Sequence, residues 1–416
     1  YASTVTGEEG VLATIARGIL GQLGLDTKNE VEAAEADTEL YEAVEAELGA
    51  GWQKMVTPVF SADRAILFDD RWASAREDLA RLANGADIAT ERFIGTGETV
   101  AKQATWWAEH VEDSTLAATL SEVAKVAVQA AEELHAEDVA LVTGAAPESI
   151  AGAVAGRLLA QGATVIMTAS NVSQARKEYA RKLYHQHASP SAKLWIVPAN
   201  MSSYRDVDAV IDWIGNEQRV TVGGSVTVTK PALTPTLAYP FAAPSVSGNL
   251  SDAGPQTENQ ARLLLWSVER TIAGLADLAS RGVGSRVHIV LPGSPNRGMF
   301  GGDGAYGEVK AAFDAILAKW SSETGWPNHV TLAQARIGWV AGTGLMGRND
   351  VLIPAAEKLG IHVYTPEEIS TELLGLGSSE SREQALTAPI DYDLTGGLGG
   401  DVSIAALAAS LEQDEV

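Results

Sequence analysis

The chain has 416 residues, with 30 lysines and arginines against 54 aspartates and glutamates, for a formal net charge of −24. A field of that sign repels phosphate backbones and anionic bilayer surfaces, and no basic run interrupts it, which argues against nucleic acid and membrane as partners. The absence of cysteine excludes disulfides, thiolate metal sites and cysteine nucleophiles.

A hydrophobic content of 46% is that of a globular chain with a sizeable core. The length accommodates two domains, or one large domain with extensions. No signal peptide and no apolar run long enough to cross a bilayer is present, so the expected setting is cytoplasmic. The first residue is Tyr1 rather than methionine, which suggests a piece of a longer polypeptide.

Residues 1–136 read as a helical structural module without a catalytic signature. Asp37 can cap a helix whose inward stripe is Leu40, Val44 and Leu48. A second amphipathic pattern uses Trp72, Leu79 and Leu82. A third, Ser114 to His135, turns Leu116, Leu120, Val123, Val126 and Leu134 inward. Trp52, Trp106 and Trp107 read as packing anchors.

The pattern changes at Asp138. Val139–Val142 is a short apolar strand, followed by a turn containing Gly144, a helix from Ala151 to Gln161 and a second strand, Ala163–Thr168. This strand–turn–helix–strand unit opens a doubly wound sheet, and the free N–H groups of its helix N-terminus suit a pyrophosphate. The glycine fingerprint is incomplete: Gly144 stands where the tight bend requires it, but Glu148 and Ile150 stand where further glycines are expected. Ser149 is placed to offer a hydroxyl instead.

At the end of the second strand, NAD sites usually carry a carboxylate for the ribose 2′-hydroxyl. Here Thr168, Ser170, Asn171 and Ser173 precede Arg176 and Lys177. Hydroxyls and cations without a repelling acid favour NADPH, the plainer alternative being a polar helix cap. His185 and His187 form an H-x-H, but on a helix they point about 200° apart, poor geometry for a shared metal, so both read as solvated surface.

Further strands are expected at Leu194–Pro198, ending in Asn200, and at Leu233–Phe241, leading into Ala242 and Ala243. Between them, residues 217–230 read as an inserted β-hairpin around Gly223-Gly224. Glu258–Ser280 is a long helix, Val287–Leu291 a fifth strand, Val330–Ile337 a sixth and Ile361–Tyr364 a seventh. Residues 377–416 read as linker or tail. The fold class is therefore α/β, a doubly wound parallel, Rossmann-like sheet over residues 137–376, with the helical module in front.

The fifth strand leads into Ser294 and a glycine-rich loop, then a helix that starts with Tyr306 and Lys310, four residues apart and on one face. A phenol there can protonate a carbonyl oxygen that is becoming an alkoxide, a neighbouring ammonium favours the phenol's ionised form, and a serine hydroxyl can bind the same oxygen.

With these motifs in this order, the chain resembles a short-chain dehydrogenase/reductase. More narrowly, it is similar to the β-ketoacyl reductase domain of type I fatty acid synthases of the fungal and actinobacterial kind. The resemblance rests on Leu291 through Lys310, on Ile337-Gly-Trp-Val-Ala-Gly-Thr-Gly-Leu-Met346, on Thr168 through Tyr179 and on Pro240-Phe-Ala-Ala-Pro244. It implies that Tyr306 donates the proton, Ser294 polarises the carbonyl, and Lys310 holds the nicotinamide ribose and lowers the tyrosine's pKa. It places Gly144, Ser149 and Ile150 along the pyrophosphate, and Thr168, Ser170 and Asn171 by the adenosine phosphate. Ile337, Gly338 and Thr343 fall on the carboxamide side. Asn200, Ala242 and Ala243 complete the cofactor-binding set, and no metal is implied. Many relatives carry a fourth catalytic residue, an asparagine, on the long helix, where this chain has Ser267.

The implied activity is NADPH-dependent reduction of a 3-oxoacyl group on acyl carrier protein. The implied partners are that carrier domain and other domains of the same synthase, in a homo-oligomeric assembly. A non-catalytic nucleotide-binding scaffold segment and a free-standing reductase of another ketone are the alternatives.

Overall fold

The computed structural model describes residues 10–22, 38–49, 51–298, 300–343 and 347–399. Asp37 and residues 400–416 of the expected tail lie outside these. The short strand β1 (Ile66–Phe68) precedes β2 (Val139–Thr143), β3 (Thr164–Ala169) and β4 (Lys193–Pro198). A separate hairpin, β5 (Gln218–Val222) and β6 (Ser225–Lys230), interrupts the sheet as expected. The sheet resumes with β7 (Leu237–Pro240), β8 (Val287–Gly293), β9 (Val330–Ile337) and β10 (Ile390–Leu394).

The eight-stranded order is β1-β4-β3-β2-β7-β8-β9-β10. Only β1 runs antiparallel to its neighbour. A parallel sheet needs a cover on both faces, and the central strands are apolar at consecutive positions for that reason. In β3, Val165 and Met167 join one core, while Ile166 joins the other. The first core is closed by helices Ile150–Ala160, Gln174–His187 and Pro366–Leu376, the second by Tyr204–Gly215, Ser267–Ser280 and Tyr306–Ser322. The chain reverses its direction of travel across the sheet between β2 and β7. In open α/β sheets a ligand crevice forms beyond the carboxyl ends of the strands at such a point.

The helices Arg71–Ala83, Glu98–His110 and Ser114–Val126 share a small core of Leu79, Phe93, Val100, Leu120 and Val123. They dock through β1 and through Asp78, whose carboxylate meets His185 Nε2 at 2.6 Å and lies 3.6 Å from Arg92. His185 is therefore part of a buried ionic cluster, not the solvated surface residue that was expected; His187 is exposed.

Several other expectations change. The third helix stops at Val126, because the Val126 and Ala127 carbonyls accept the Gly95 and Gly97 amides, which leaves Leu134 73% exposed. Trp52 is buried, but Trp72 and Trp106 lie on the surface, Trp72 under the Arg76 guanidinium and Trp106 stacked on His110. Ile361–Tyr364 forms no strand and contributes the isolated Val340–Tyr364 bridge.

The seventh parallel position belongs instead to β10, inside the stretch read as a tail. Ile390 and Leu394 are buried there, while Asp391, Tyr392 and Asp393 between them face outward. An edge strand with one buried residue at each end has no local alternation to reveal it.

Candidate active site

A cavity of about 830 Å³ opens beyond the ends of β2, β3, β7, β8 and β9. Its floor begins at Gly144, which has φ +78, and a Cβ there would sit 2.7 Å from the Ala242 Cα and the Phe241 carbonyl. Only glycine lets the β2 and β7 loops approach this closely. Glu148, in place of an expected glycine, nonetheless keeps a glycine-like left-handed conformation at φ 57. Ser149 caps the Ile150–Ala160 helix. Its hydroxyl accepts the Ala146 and Gly152 amides at 2.9 and 3.0 Å and donates to the Ala146 carbonyl at 2.8 Å. That hydroxyl shapes the turn and is already spent within it, contrary to the reading that it is offered outward.

Thr168 and Ser170 line the cavity beyond β3, and Arg176 reaches over from the next helix, its guanidinium donating to the Ala145 carbonyl at 3.0 Å. Asn171 is exposed and does not line the cavity; the chain turns outward there to begin the Gln174–His187 helix. Asn200, Ala242 and Ala243 line the middle of the cavity. The Asn200 amide is held by donating to the Met55 and Thr57 carbonyls, which ties the N-terminal module to the cavity wall. Ile337, Gly338 and Thr343 line the far side, where Thr343 Oγ1 donates to the Val340 carbonyl at 2.8 Å.

Ser294, Tyr306 and Lys310 meet in the same cavity. The Ser294 hydroxyl faces the Tyr306 phenol across the cavity and accepts the Asn296 amide at 3.1 Å. One helical turn on, Lys310 is 3% exposed; its Nζ donates to the Pro292 carbonyl at 2.6 Å and stands 5.4 Å from the Tyr306 ring centroid.

Burial decides both proton affinities. It pushes the Tyr306 phenol up to about 12, opposed by the Ser294 hydroxyl and reinforced by Asp303. It brings the Lys310 ammonium down to about 7. The expectation that the ammonium lowers the phenol's pKa is thus reversed, because losing water penalises the charged form of each group. The phenol stays protonated across the physiological range and can serve as a proton donor.

The long helix carries a surprise. Pro255–Ala261 and Ser267–Ser280 are joined by a π-turn, Arg262–Trp266, of a kind that often marks functional sites. From this helix the cavity is lined by Leu263 and Leu264, while Ser267 is buried elsewhere with its hydroxyl unpartnered. Ser267 therefore does not take the asparagine's place at the site.

The sequence reading also passed over Asn296, Phe300, Asp303 and Leu398, all of which line the cavity. Asn296 and Asp303 sit inside a quoted motif and were findable. Leu398 was not, since it arrives only because the C-terminal segment folds back beside Trp339 and Phe300. Asp303 is the only carboxylate on the cavity wall among the described residues.

No family model matches the chain. The fatty acid synthase alpha subunit of Schizosaccharomyces pombe is 36% identical over 264 residues, which are 62% of this chain and 14% of that subunit. The corresponding subunit of Saccharomyces cerevisiae is 33% identical over 279 residues, 66% of this chain and 14% of that subunit. Over that stretch the chain is homologous to the fungal synthase alpha subunits. It spans 14% of the length of these two curated relatives.

Among solved structures, Pseudomonas aeruginosa RhlG in its NADP complex has a TM-score of 0.50 at 20% identity, covering 64% of this chain and 98% of that one. L-sorbose reductase from Gluconobacter frateurii, complexed with NADPH and L-sorbose, has a TM-score of 0.50 at 17% identity and covers 65% and 100%. At these identities the likeness is one of fold, the doubly wound sheet. Among the described residues no helix is long and apolar enough to cross a membrane.

Proposed function

We propose that this chain reduces a 3-oxoacyl thioester to the 3-hydroxyacyl thioester with NADPH, as one part of a multifunctional fatty acid synthase. The observation that carries the proposal is the convergence of Ser294, Tyr306 and Lys310 in one cavity at the point where the sheet reverses. The homology to fungal synthase alpha subunits supports the substrate class.

The residues present fit a dinucleotide phosphate. Gly144 leaves a cradle that a Cβ would fill, and Thr168, Ser170 and Arg176 line one end with hydroxyls and a guanidinium, with no carboxylate among the cavity residues there. Arginine pairs well with a phosphate in this setting. Gly144 and Ile150 are assigned to the pyrophosphate, with Ser149 shaping the turn that presents them, and Ile337, Gly338 and Thr343 to the nicotinamide side. When bound, NADPH supplies the hydride.

The chain's own part is to place and protonate the carbonyl. Ser294 donates a hydrogen bond to the carbonyl oxygen, which strengthens as negative charge builds on it. Tyr306 hands its proton to that oxygen as the alcohol forms. Lys310 holds the ribose. Leu263, Leu264 and Phe300 provide apolar wall for the acyl chain.

The substrate is assigned to an acyl carrier protein of the same assembly. A carrier tethered in one polypeptide reaches the site at a high effective concentration, which offsets weak contact with an acidic surface.

The test follows NADPH absorbance with a short 3-oxoacyl thioester. Turnover by the native chain, lowered about 10²–10⁴-fold by Tyr306→Phe, is the expected result. Tight NADPH binding without turnover would instead identify a scaffold segment. The same assay with NADH in place of NADPH is expected to be markedly slower, and equal rates would overturn the assignment of Thr168, Ser170 and Arg176.

A further inference from the structure

We propose that Asn296 and Asp303 form a clasp joining the two catalytic elements, with Asn296 as a positioning residue that sets the approach of Ser294 to Tyr306. The proposal rests on the reductase reading of the site. Asn296 is 4% exposed. Its backbone N–H donates to Ser294 Oγ at 3.1 Å, and its side-chain Nδ2 donates to Asp303 Oδ2 at 2.7 Å. Its Oδ1 accepts the Gly298 amide at 3.0 Å. Asp303 completes the connection, because Oδ2 also accepts the Gly307 amide at 3.0 Å and its carbonyl accepts the Tyr306 amide at 3.1 Å. A continuous line of hydrogen bonds therefore runs from the serine hydroxyl to the backbone that carries the phenol.

The loop between these elements explains why a clasp is needed. Gly298, Gly301, Gly302 and Gly304 have φ of 89, 69, 70 and 61, so the segment has much freedom to lose on ordering. The helix start also packs tightly on the loop, since a Cβ on Gly307 would lie 2.5 Å from the Gly298 nitrogen. An amide–carboxylate bond inside a buried site is stronger than a neutral pair, and it holds this contact at one setting. The Asn296 N–H occupies one lone pair of Ser294 Oγ and leaves the serine O–H free to donate into the cavity.

The experiment uses the full chain and the thioester assay with NADPH, together with NADPH affinity by fluorescence and thermal unfolding. Asn296→Ala and Asp303→Ala are each expected to lower kcat about 10–100-fold, because small displacements of reacting groups cost this much. NADPH affinity is expected to stay nearly unchanged, and the double variant to be no worse than the worse single one. A folded Asn296→Ala chain with native kcat would overturn the clasp. So would losses that multiply in the double variant, or a fall in NADPH affinity in step with kcat.

If the alanine variants do not fold, Asn296→Asp decides the matter. It sets two carboxylates against each other and is expected to lower kcat, while adding Asp303→Asn in the same chain restores an amide–carboxylate pair and recovers activity. Failure of that recovery in a folded chain also overturns the clasp. A native chain without turnover defeats the reductase reading itself, whereas a native chain that turns over and is matched by the clasp variants defeats only the clasp.

Discussion

Lys310 shows how a single side chain couples the site to pH. Its folded-state pKa is lowered from 10.5 to about 7 by burial. Between those values the unfolded chain binds the proton and the folded chain does not, so this group makes stability rise with pH across that window. Lys310→Met removes the contribution. The expected outcome is a thermal midpoint whose rise from pH 7 to pH 9 is smaller in the variant than in the native chain, read by calorimetry. Identical slopes would show that Lys310 keeps its proton in the folded protein. The same burial leaves Tyr306 protonated, which suits a proton donor. The Ser–Tyr–Lys set was legible because its spacing falls on one strand end and one helix face. The sign of its electrostatics was not, since desolvation depends on what else packs around the site.

At the scale of elements, the C-terminal segment is fastened to the start of β2. Arg382, in the Ser379–Gln384 helix, donates to Asp138 Oδ1 and Oδ2 at 2.8 and 2.7 Å. His135 Nδ1 lies 2.7 Å from the same carboxylate, and Thr236 Oγ1 donates to it at 2.6 Å. Burial alone would raise the Asp138 pKa, but these bonds outweigh it and hold the carboxyl well below the usual range. Its contribution to stability is therefore complete above about pH 4 and declines as pH falls below that. Arg382→Leu leaves the carboxylate mostly buried without its ion partner, and the expected loss is about 3 kcal/mol in denaturant unfolding at pH 7. A loss under about 0.5 kcal/mol would mean that His135 and Thr236 suffice, in the range of an exposed pair. Nothing in the local pattern of residues 377–399 announced this role. The segment is polar and glycine-rich, and its strand is defined by its partner β9.

Across the whole molecule, the net charge of −24 acts against compaction. Raising salt from about 10 mM to about 150 mM shortens the screening length from about 30 Å to about 8 Å. The thermal midpoint is expected to rise by a few degrees over that range, and a fall would show that attractive ion pairs outweigh the repulsion. The core is arranged to resist that field, with two apolar layers on a parallel sheet and the polar site confined to its carboxyl edge.

Sequence alone determined the parallel sheet, its reversal, the cofactor turn and the Ser294–Tyr306–Lys310 set. Each is written as short-range periodicity or spacing, and apolar strands buried on both faces have few other solutions. The tertiary structure decided which strand fills the sheet's far edge, where Asn171 and Ser267 point, and how Asn296 and Asp303 join across the glycine loop. Those outcomes depend on contacts between residues distant in the chain, and on the water each contact excludes, neither of which a local pattern records.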